Sequence, residues 1–124
     1  KVVNVELGRE CSKYARVNVK MNKVNVEVIQ GNVKNLRKLI SGKFDKIIMP
    51  RPQIEESFLK FVFPFCRKKA RIYYYDFGKD VESIIEKIEN EARKAGMKIK
   101  ILNFKKAGEI APYKFRWRID LIVK

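Results

Sequence analysis

The chain has 124 residues, 46% of them hydrophobic, and a net charge of +15, because 29 Lys and Arg outnumber 14 Asp and Glu. This length and apolar content suit one domain with a modest core. The chain has no histidine, which excludes nucleophilic sites of the Cys-His and Ser-His types within it. Its two cysteines, Cys11 and Cys66, form no CxxC pair, so we expect no metal site.

The excess of positive charge points to a polyanionic partner. A small domain with this charge repels itself unless a polyanion or salt offsets the repulsion. Nucleic acid, bound through its phosphates, is the partner we expect. Two alternatives stay open: surface networks of Lys and Glu, as in thermophilic proteins, and a basic surface that aids solubility. The acidic residues are too few for ion pairing alone to account for the excess.

Both cysteines lie in apolar helical patterns, and we expect them to be unreactive core residues. Reduced thiols and the absence of a signal peptide predict a cytoplasmic protein. Apolar runs in the sequence are too short to span a membrane, so we expect no membrane partner.

The first half of the chain alternates short β-branched runs with helical patterns. Val24, Val26 and Val28 alternate with polar residues, which is typical of a strand. The run Ile47–Met49 is continuously apolar, as in a strand buried on both faces. The predicted elements are a strand at 2–5, a helix at 9–22, a strand at 24–29, a short helix at 33–40 and a strand at 47–49.

The second half continues the alternation and ends in two strands. Pro64 is expected to kink or end a helix whose apolar face holds Ile54, Phe58, Phe61 and Phe65. A strand at 72–75 and a helix at 79–95 follow, with Asp80 near the helix start and Gly96 at its end. Two last strands, at 99–104 and 117–123, are joined by a loop containing Gly108 and Pro112.

This order of elements predicts an α/β fold. Strands that alternate with helices form a three-layer sandwich with a mostly parallel sheet. The last two strands have no helix between them, so we expect them to pair antiparallel.

Polar groups follow three of the predicted strands, where ligands bind in open α/β sheets. Glu6 follows the first strand, and a carboxylate there accepts both hydroxyls of a ribose. Asn32 follows the second, where its amide matches the edge of an adenine. Pro50, Arg51 and Pro52 follow the third. Each residue also has a simpler explanation. Glu6 could be a solvated acid in a loop, Asn32 part of an ordinary Gly-Asn turn, and the prolines a plain strand end.

Several segments of the sequence resemble one family of RNA-modifying enzymes. The resemblance covers nearly the whole chain and is most specific at FDKIIMPRP, at the aromatic strand IYYYDF and at the AP-Y loop before the last strand. The chain is similar to the archaeal and eukaryotic tRNA methyltransferases that modify N1 of guanine 37, next to the anticodon. It also resembles their wyosine-synthesis relatives, which transfer the aminocarboxypropyl group of S-adenosylmethionine (SAM).

The resemblance implies a Rossmann-like class I methyltransferase fold, SAM as cofactor and tRNA as partner. Glu6 would bind the cofactor ribose, with Leu7 packed beside it. Asn32 and Val33 would contact the adenine, with Asn32 where the family usually has aspartate. Pro50, Arg51 and Pro52 match the family's catalytic Asn-Leu-Pro or a variant of it. Since Pro50 has no side-chain amide, contact with the target base there must use its backbone carbonyl.

The resemblance also implies that residues 1–124 are the C-terminal part of a catalytic domain. The family's first strand, with its glycine-rich turn, would lie before Lys1 and would be central in the sheet. Buried backbone groups need ladder partners, so another chain or segment would supply that strand, or the flanking strands would pair directly.

Three functions are consistent with these residues. The first is methyl transfer to guanine N1 of tRNA, by a partial catalytic domain. The second is aminocarboxypropyl transfer from the same cofactor, and the third is a non-catalytic basic remnant that binds RNA.

Near the C-terminus, basic residues alternate with Tyr113, Phe115 and Trp117. Alternation along a strand predicts that the aromatic side chains lie in the core and the cations in water. The same basic residues could also line an edge that faces tRNA.

Overall fold

The computed structural model describes residues 1–50 and 57–124, which form two compact units, Lys1–Ser41 and Gly42–Lys124. The described strands form two sheets, one in each unit. Helices and strands alternate along the chain, which confirms the α/β class. Whether residues 1–124 are part of one catalytic domain stays a prediction.

The first unit is a strand, a helix and a second strand, followed by a short helical segment. Its strands pair in parallel, from Val2 opposite Val26 to Glu6 opposite Gln30. The predicted helix at 33–40 is a 3-10 turn at Val33–Asn35 that continues into one α-helical turn. The elements are β1 (Val2–Glu6), α1 (Arg9–Met21), β2 (Val26–Gln30) and α2 (Leu36–Leu39).

The second unit is a four-stranded sheet in the order β3-β4-β6-β5. Within it, β3 runs parallel to β4, whereas β6 is antiparallel to both β4 and β5. Three strands therefore run one way and β6 the other, which confirms the mostly parallel sheet with an antiparallel C-terminal pair. The elements are β3 (Phe44–Met49), α3 (Leu59–Val62), β4 (Cys66–Gly78), α4 (Val81–Lys94), β5 (Ile99–Ala111) and β6 (Lys114–Val123).

The core of the second unit lies on one face of this sheet, under α4. The apolar stripe of α4 is buried, as its helical spacing predicts. Each fully buried aliphatic side chain contributes about 1.5–3 kcal/mol. In the described part of the second unit, the side chains with no exposed surface are those of Leu59, Ile72, Tyr74, Ile88, Ile119 and Leu121.

The predicted helix around Phe58–Phe65 is much shorter than its apolar face suggests. Its α-helical part, α3, has four residues and gives way to a 3-10 turn at Phe63–Phe65. Pro64 lies in that turn, where its missing N–H ends the α-helix, as expected. Ile54 lies outside the described residues.

The strand predicted at 72–75 is longer than expected, because pairing with neighbours overrides side-chain polarity. β4 begins at Cys66, opposite Phe44, and includes the exposed basic residues 67–69. The prediction of a long loop between the last two strands is also wrong, because the strands are longer than expected. β5 extends to Ala111, and register shifts near Gly108 accommodate the residues that break the alternation.

The two cysteines differ in environment. The prediction that both are buried helical residues is wrong, since Cys11 is exposed on α1 and Cys66 is buried at the start of β4. Burial raises the pKa of the Cys66 thiol from 9.0 to about 11. The positive charge of Lys43 lowers this pKa by a smaller amount. Both cysteines are free thiols.

We expect a thiol reagent at pH 8 to modify Cys11 in the native protein and to leave Cys66 largely unmodified. At that pH only roughly one Cys66 thiol in a thousand is ionised, and the thiolate is the nucleophile. Titration with a chromogenic disulfide should give one rapid reaction per native chain and two per denatured chain. Two rapid reactions in the native protein would contradict this assignment.

None of the helices among the described residues has the length and apolar character to cross a membrane.

Candidate functional site

The carboxyl ends of β1 and β2 lie side by side at one edge of the first unit. Glu6 is opposite Gln30, and the Gly31 N–H donates a hydrogen bond of 2.8 Å to the Glu6 carbonyl oxygen. This extends the parallel pairing one step beyond β2. The structure therefore brings the Glu6–Leu7 and Asn32–Val33 segments together, as their positions after parallel strands predict.

Ser12 fixes the turn that follows β1. It is fully buried, although it is polar and lies in the first turns of α1. Its hydroxyl donates to the Gly8 carbonyl oxygen over 2.8 Å, with the Glu6 carbonyl oxygen 3.4 Å away. The Ser12 N–H donates to the same Gly8 oxygen over 2.9 Å. The backbone that carries Glu6 and Leu7 is thereby tied to α1.

The side chains of Glu6 and Leu7 are available to a ligand. Glu6 is half-buried, and its carboxylate has no hydrogen-bond or ion-pair partner within residues 1–50 and 57–124. Leu7 is 68% exposed, which is unusual for a leucine flanked by ordered structure. A half-buried, unpaired carboxylate beside an exposed apolar side chain suits a ligand with adjacent hydroxyls and a flat or apolar part.

Asn32 caps the helical turn after β2. Its Oδ1 accepts a hydrogen bond of 2.9 Å from the Lys34 N–H, and its carbonyl oxygen accepts one of 2.8 Å from the Asn35 N–H. The ordinary turn considered from the sequence is therefore present. It leaves a second lone pair on Oδ1 and the side-chain NH₂ group for a ligand, since an amide has four hydrogen-bonding positions.

Close packing at Gly31 holds this turn in place. A Cβ built on Gly31 would lie 2.5 Å from Cδ1 of Leu39, on α2. A larger residue would push Leu39 out of its half-buried position. Glycine therefore lets α2 approach the end of β2 closely.

The third strand end belongs to the second unit. β3 ends at Met49, opposite Tyr74, and Pro50 follows with an exposed side chain. Proline has no N–H to continue the ladder, so it ends the strand as its sequence position predicts. Arg51 and Pro52 lie outside the described residues. The convergence of Pro50 with Glu6 and Asn32 stays a prediction.

Comparison with known proteins identifies the family of this chain. The sequence model of the TRM5/TYW2 methyltransferase domain matches residues 1–102. The chain belongs to the TRM5/TYW2 methyltransferase family.

Individual members of the family agree with this assignment. A tRNA (guanine(37)-N(1))-methyltransferase, Trm5b of Pyrococcus abyssi, is 32% identical over 115 residues, which are 90% of this chain and 34% of the relative. The crystal structure of that Trm5b superposes with a TM-score of 0.87 at 30% identity and covers 99% of this chain and 37% of its own. The present chain thus spans about a third of the length of this relative.

Two further solved structures share the fold. Methanocaldococcus jannaschii TYW2, in complex with AdoMet, has a TM-score of 0.84 at 24% identity and covers 99% of this chain and 57% of its own. An aTrm5 structure in complex with tRNALeu has a TM-score of 0.85 at 19% identity and covers 100% of this chain and 35% of its own. These likenesses establish the Rossmann-like methyltransferase fold that the sequence predicts.

Two features of this TRM5/TYW2 chain were not found from its sequence. Ser12 gives no signal in hydrophobic periodicity, because a buried polar residue counts as polar there. The one available sign is its position four residues after Gly8, where a hydroxyl reaches the carbonyl one turn back. The fit between Gly31 and Leu39 depends on how α2 folds back, which local patterns do not reveal.

Proposed function

We propose that this chain is part of the catalytic domain of a SAM-dependent tRNA methyltransferase that acts on N1 of the guanine next to the anticodon. The observation that carries the proposal is the juxtaposition of Glu6 and Asn32 at the ends of two adjacent parallel strands. Membership in the TRM5/TYW2 family and the name of the Pyrococcus abyssi relative support it. The charge of +15 suits a polyanionic substrate.

The residues of the first unit fit the nucleoside part of SAM. The Glu6 carboxylate accepts hydrogen bonds from the two ribose hydroxyls, and the exposed Leu7 side chain packs against the cofactor. Asn32 offers its NH₂ group and the second lone pair of Oδ1 to the adenine edge, beside Val33. When bound, SAM supplies an electrophilic methyl group.

Pro50, Arg51 and Pro52 form the rim that receives the target base in this proposal. The Pro50 carbonyl oxygen accepts a hydrogen bond from the base, and the Arg51 guanidinium stacks on the base or pairs with a phosphate. A base that reacts in such a pocket must leave its stack.

We expect Arg51→Ala in the intact enzyme to lower the rate of tRNA modification roughly 5- to 150-fold, because a lost stacked or phosphate-bound guanidinium is worth about 1–3 kcal/mol. The melting temperature should change little. Single-turnover modification assays and thermal denaturation measure the two effects. Arg37→Ala, an exposed arginine on α2, is the control. Equal rates in the wild type and Arg51→Ala would refute the role.

A strand from outside these residues completes the sheet in this proposal. Within the described residues, β1 pairs only with β2, and β3 is an edge strand of its sheet. Exposed strand edges present unpaired N–H and C=O groups that another strand satisfies. In this proposal a further segment or another chain supplies that strand. Action on tRNA and free thiols are consistent with a cytoplasmic location.

Aminocarboxypropyl transfer is the second candidate function. It uses the same cofactor but breaks a different bond to sulfur. Similarity to the AdoMet complex of TYW2 favours it, as does Pro50 in place of an asparagine. The third candidate, a non-catalytic RNA-binding remnant, would bind tRNA without affinity for SAM.

Two measurements separate these candidates. Calorimetry with SAM, on this chain and on an intact parent, tests for the cofactor site. Mass spectrometry of tRNA treated with the intact parent then distinguishes an added methyl group from the heavier aminocarboxypropyl group. A chain and parent that bind tRNA with a steep salt dependence but never SAM would leave only the remnant hypothesis.

We expect Ser12→Ala to lower the affinity for SAM roughly 3- to 10-fold, because one buried hydrogen bond contributes about 0.5–1.5 kcal/mol. Alanine preserves helix propensity, so α1 should stay intact. Calorimetry and circular dichroism measure the two properties. Lys13→Ala, at the exposed neighbouring position, is the control. An affinity unchanged from the wild type would show that the Ser12 hydroxyl does not position Glu6.

A further inference from the structure

The β5–β6 hairpin carries an excess of positive charge. Residues 98–118 hold one acidic residue, Glu109. In the described part of the chain, Arg118 pairs with Asp120 at 3.0 Å, whereas Lys106, Lys114 and Arg116 form no ion pair. The basic residues of this stretch are Lys98, Lys100, Lys105, Lys106, Lys114, Arg116 and Arg118.

Aromatic rings hold two of these cations in place. Nζ of Lys106 lies 3.8 Å from the ring centroid of Phe115 and 5.4 Å from that of Trp117. Cζ of Arg116 lies 4.3 Å from the ring centroid of Tyr75. Cation–π contacts orient a charge without neutralising it, so both cations stay available to an anion.

The turn of the hairpin exposes an aromatic side chain at a position that disfavours it. Tyr113 is 75% exposed and has φ +59°, directly after Pro112. Proline followed by a residue of positive φ is the pattern of a type II turn, which takes glycine at the second position. Backbone preference therefore does not explain a tyrosine there, and its ring makes a distant cation–π contact, with Nζ of Lys79 5.9 Å from the centroid. Beside the turn, Ile110 is 43% exposed, and Phe104, farther along β5, is 49% exposed.

We propose that this hairpin end docks on a single-stranded stretch of RNA. Bases stack on the exposed rings while the cations contact phosphates, as in sequence-tolerant binding of single strands. The choice of RNA as the occupant, rather than an anionic membrane surface, rests on the proposed action on tRNA. The hairpin surface consists of Tyr113 at the turn, Lys114 and Arg116 on one face of the hairpin, and Phe104 and Lys106 on the other face, so the RNA would pass around the hairpin end.

Tyr113→Gly tests the stacking part. The substitution removes the ring and relieves the positive φ, so the thermal midpoint should stay equal or rise. The affinity for a fluorescent 12-nucleotide oligouridine, measured by anisotropy, should fall roughly 5- to 100-fold, the range for one lost stacking contact. A destabilised fold is therefore not the expected cause of weaker binding.

The double variant Lys106→Ala/Lys114→Ala tests the phosphate contacts. Each contact to a single strand contributes about 0.7 to the slope of log K against log salt, so the slope should become shallower by about 1.4. The control is Lys94→Ala/Lys98→Ala, which removes two exposed lysines, one at the end of α4 and one just before β5, at the opposite end of β5 from the turn. This control removes the same net charge but keeps Lys106 and Lys114, so its RNA affinity should stay within about a factor of two of that of the wild type.

Three results would overturn the proposal: unchanged RNA affinity in Tyr113→Gly, equal losses in the two lysine double variants, or binding to phosphatidylserine vesicles but not to RNA. Calorimetry with SAM separates this inference from the proposed function. If the wild type does not bind SAM but the hairpin variants still lose RNA affinity, the methyltransferase proposal alone is contradicted. Normal SAM binding with no hairpin effect contradicts the hairpin proposal alone.

Discussion

Glu6→Ala should lower the affinity for SAM by roughly 10- to 150-fold, the equivalent of about 1.5–3 kcal/mol for lost hydrogen bonds to a charged acceptor. The carboxylate is half-buried and has no partner among the described residues, so in the proposed site it would accept both ribose hydroxyls without first breaking another interaction. For the same reason its loss should change the free energy of unfolding by less than about 0.5 kcal/mol. Calorimetry and urea denaturation measure these two quantities.

Two companion variants show whether the position or the charge matters. Glu6→Gln keeps the shape but loses the charge and should give an intermediate affinity. Glu10→Ala removes an acid from the exposed first turn of α1 and should leave the affinity close to that of the wild type. If Glu10→Ala weakens SAM binding as much as Glu6→Ala, a general change of charge is responsible, and the ribose contact is refuted.

Asp76→Ala should destabilise the protein by about 3 kcal/mol, the lower end of the range for a broken buried ion pair, since Lys87 is partly exposed. Asp76 is 7% exposed on β4. Its carboxylate accepts hydrogen bonds of 3.0 Å from the Tyr74 hydroxyl and 2.8 Å from the Phe77 N–H, and Nζ of Lys87 lies 3.6 Å away. The substitution leaves a fully buried tyrosine hydroxyl and a lysine without this acceptor.

Asp45→Ala is the matched control for this prediction. Asp45 pairs with Arg67 at 2.9 Å, a shorter distance, but its side chain is 73% exposed. Exposed ion pairs contribute about 0–1 kcal/mol, so its loss should be small. Urea denaturation of both variants compares them directly. Equal destabilisation would mean that burial does not govern the energetics of these carboxylates.

Local sequence signals were sufficient for elements whose ends are chemically marked. Asp80 caps α4, where its Oδ1 accepts a hydrogen bond of 3.0 Å from the Ser83 N–H. The hydrogen bonds from Ser83 lower the pKa of Asp80, so the cap stays charged to a lower pH than a free aspartate would. The buried stripe of α4 then follows from the helical spacing of its apolar residues.

Features that depend on distant contacts were not predictable. The insertion of β6 between β4 and β5 and the full length of the hairpin are set by cross-strand pairing. Tyr113 has a positive φ at a turn position that usually takes glycine, so the sequence predicts only a loop there. Disagreement of this kind between local preference and structure is expected at functional positions.

The candidate site divides in the same way. Glu6 and Asn32 were predictable together, because consecutive parallel strands place their carboxyl ends at one edge. Ser12, which ties the turn after β1 to α1, was not predictable. Its burial results from the packing around it, and its own polarity suggests an exposed position.

A titration of isotope-labelled protein with SAM, followed by amide NMR, tests the cofactor site most directly. We expect the largest shifts together in two segments, residues 6–8 and 31–33, with only small shifts in the hairpin at 104–117. Shifts confined to one of the two segments, or largest outside both, would contradict a nucleoside bound across the ends of β1 and β2.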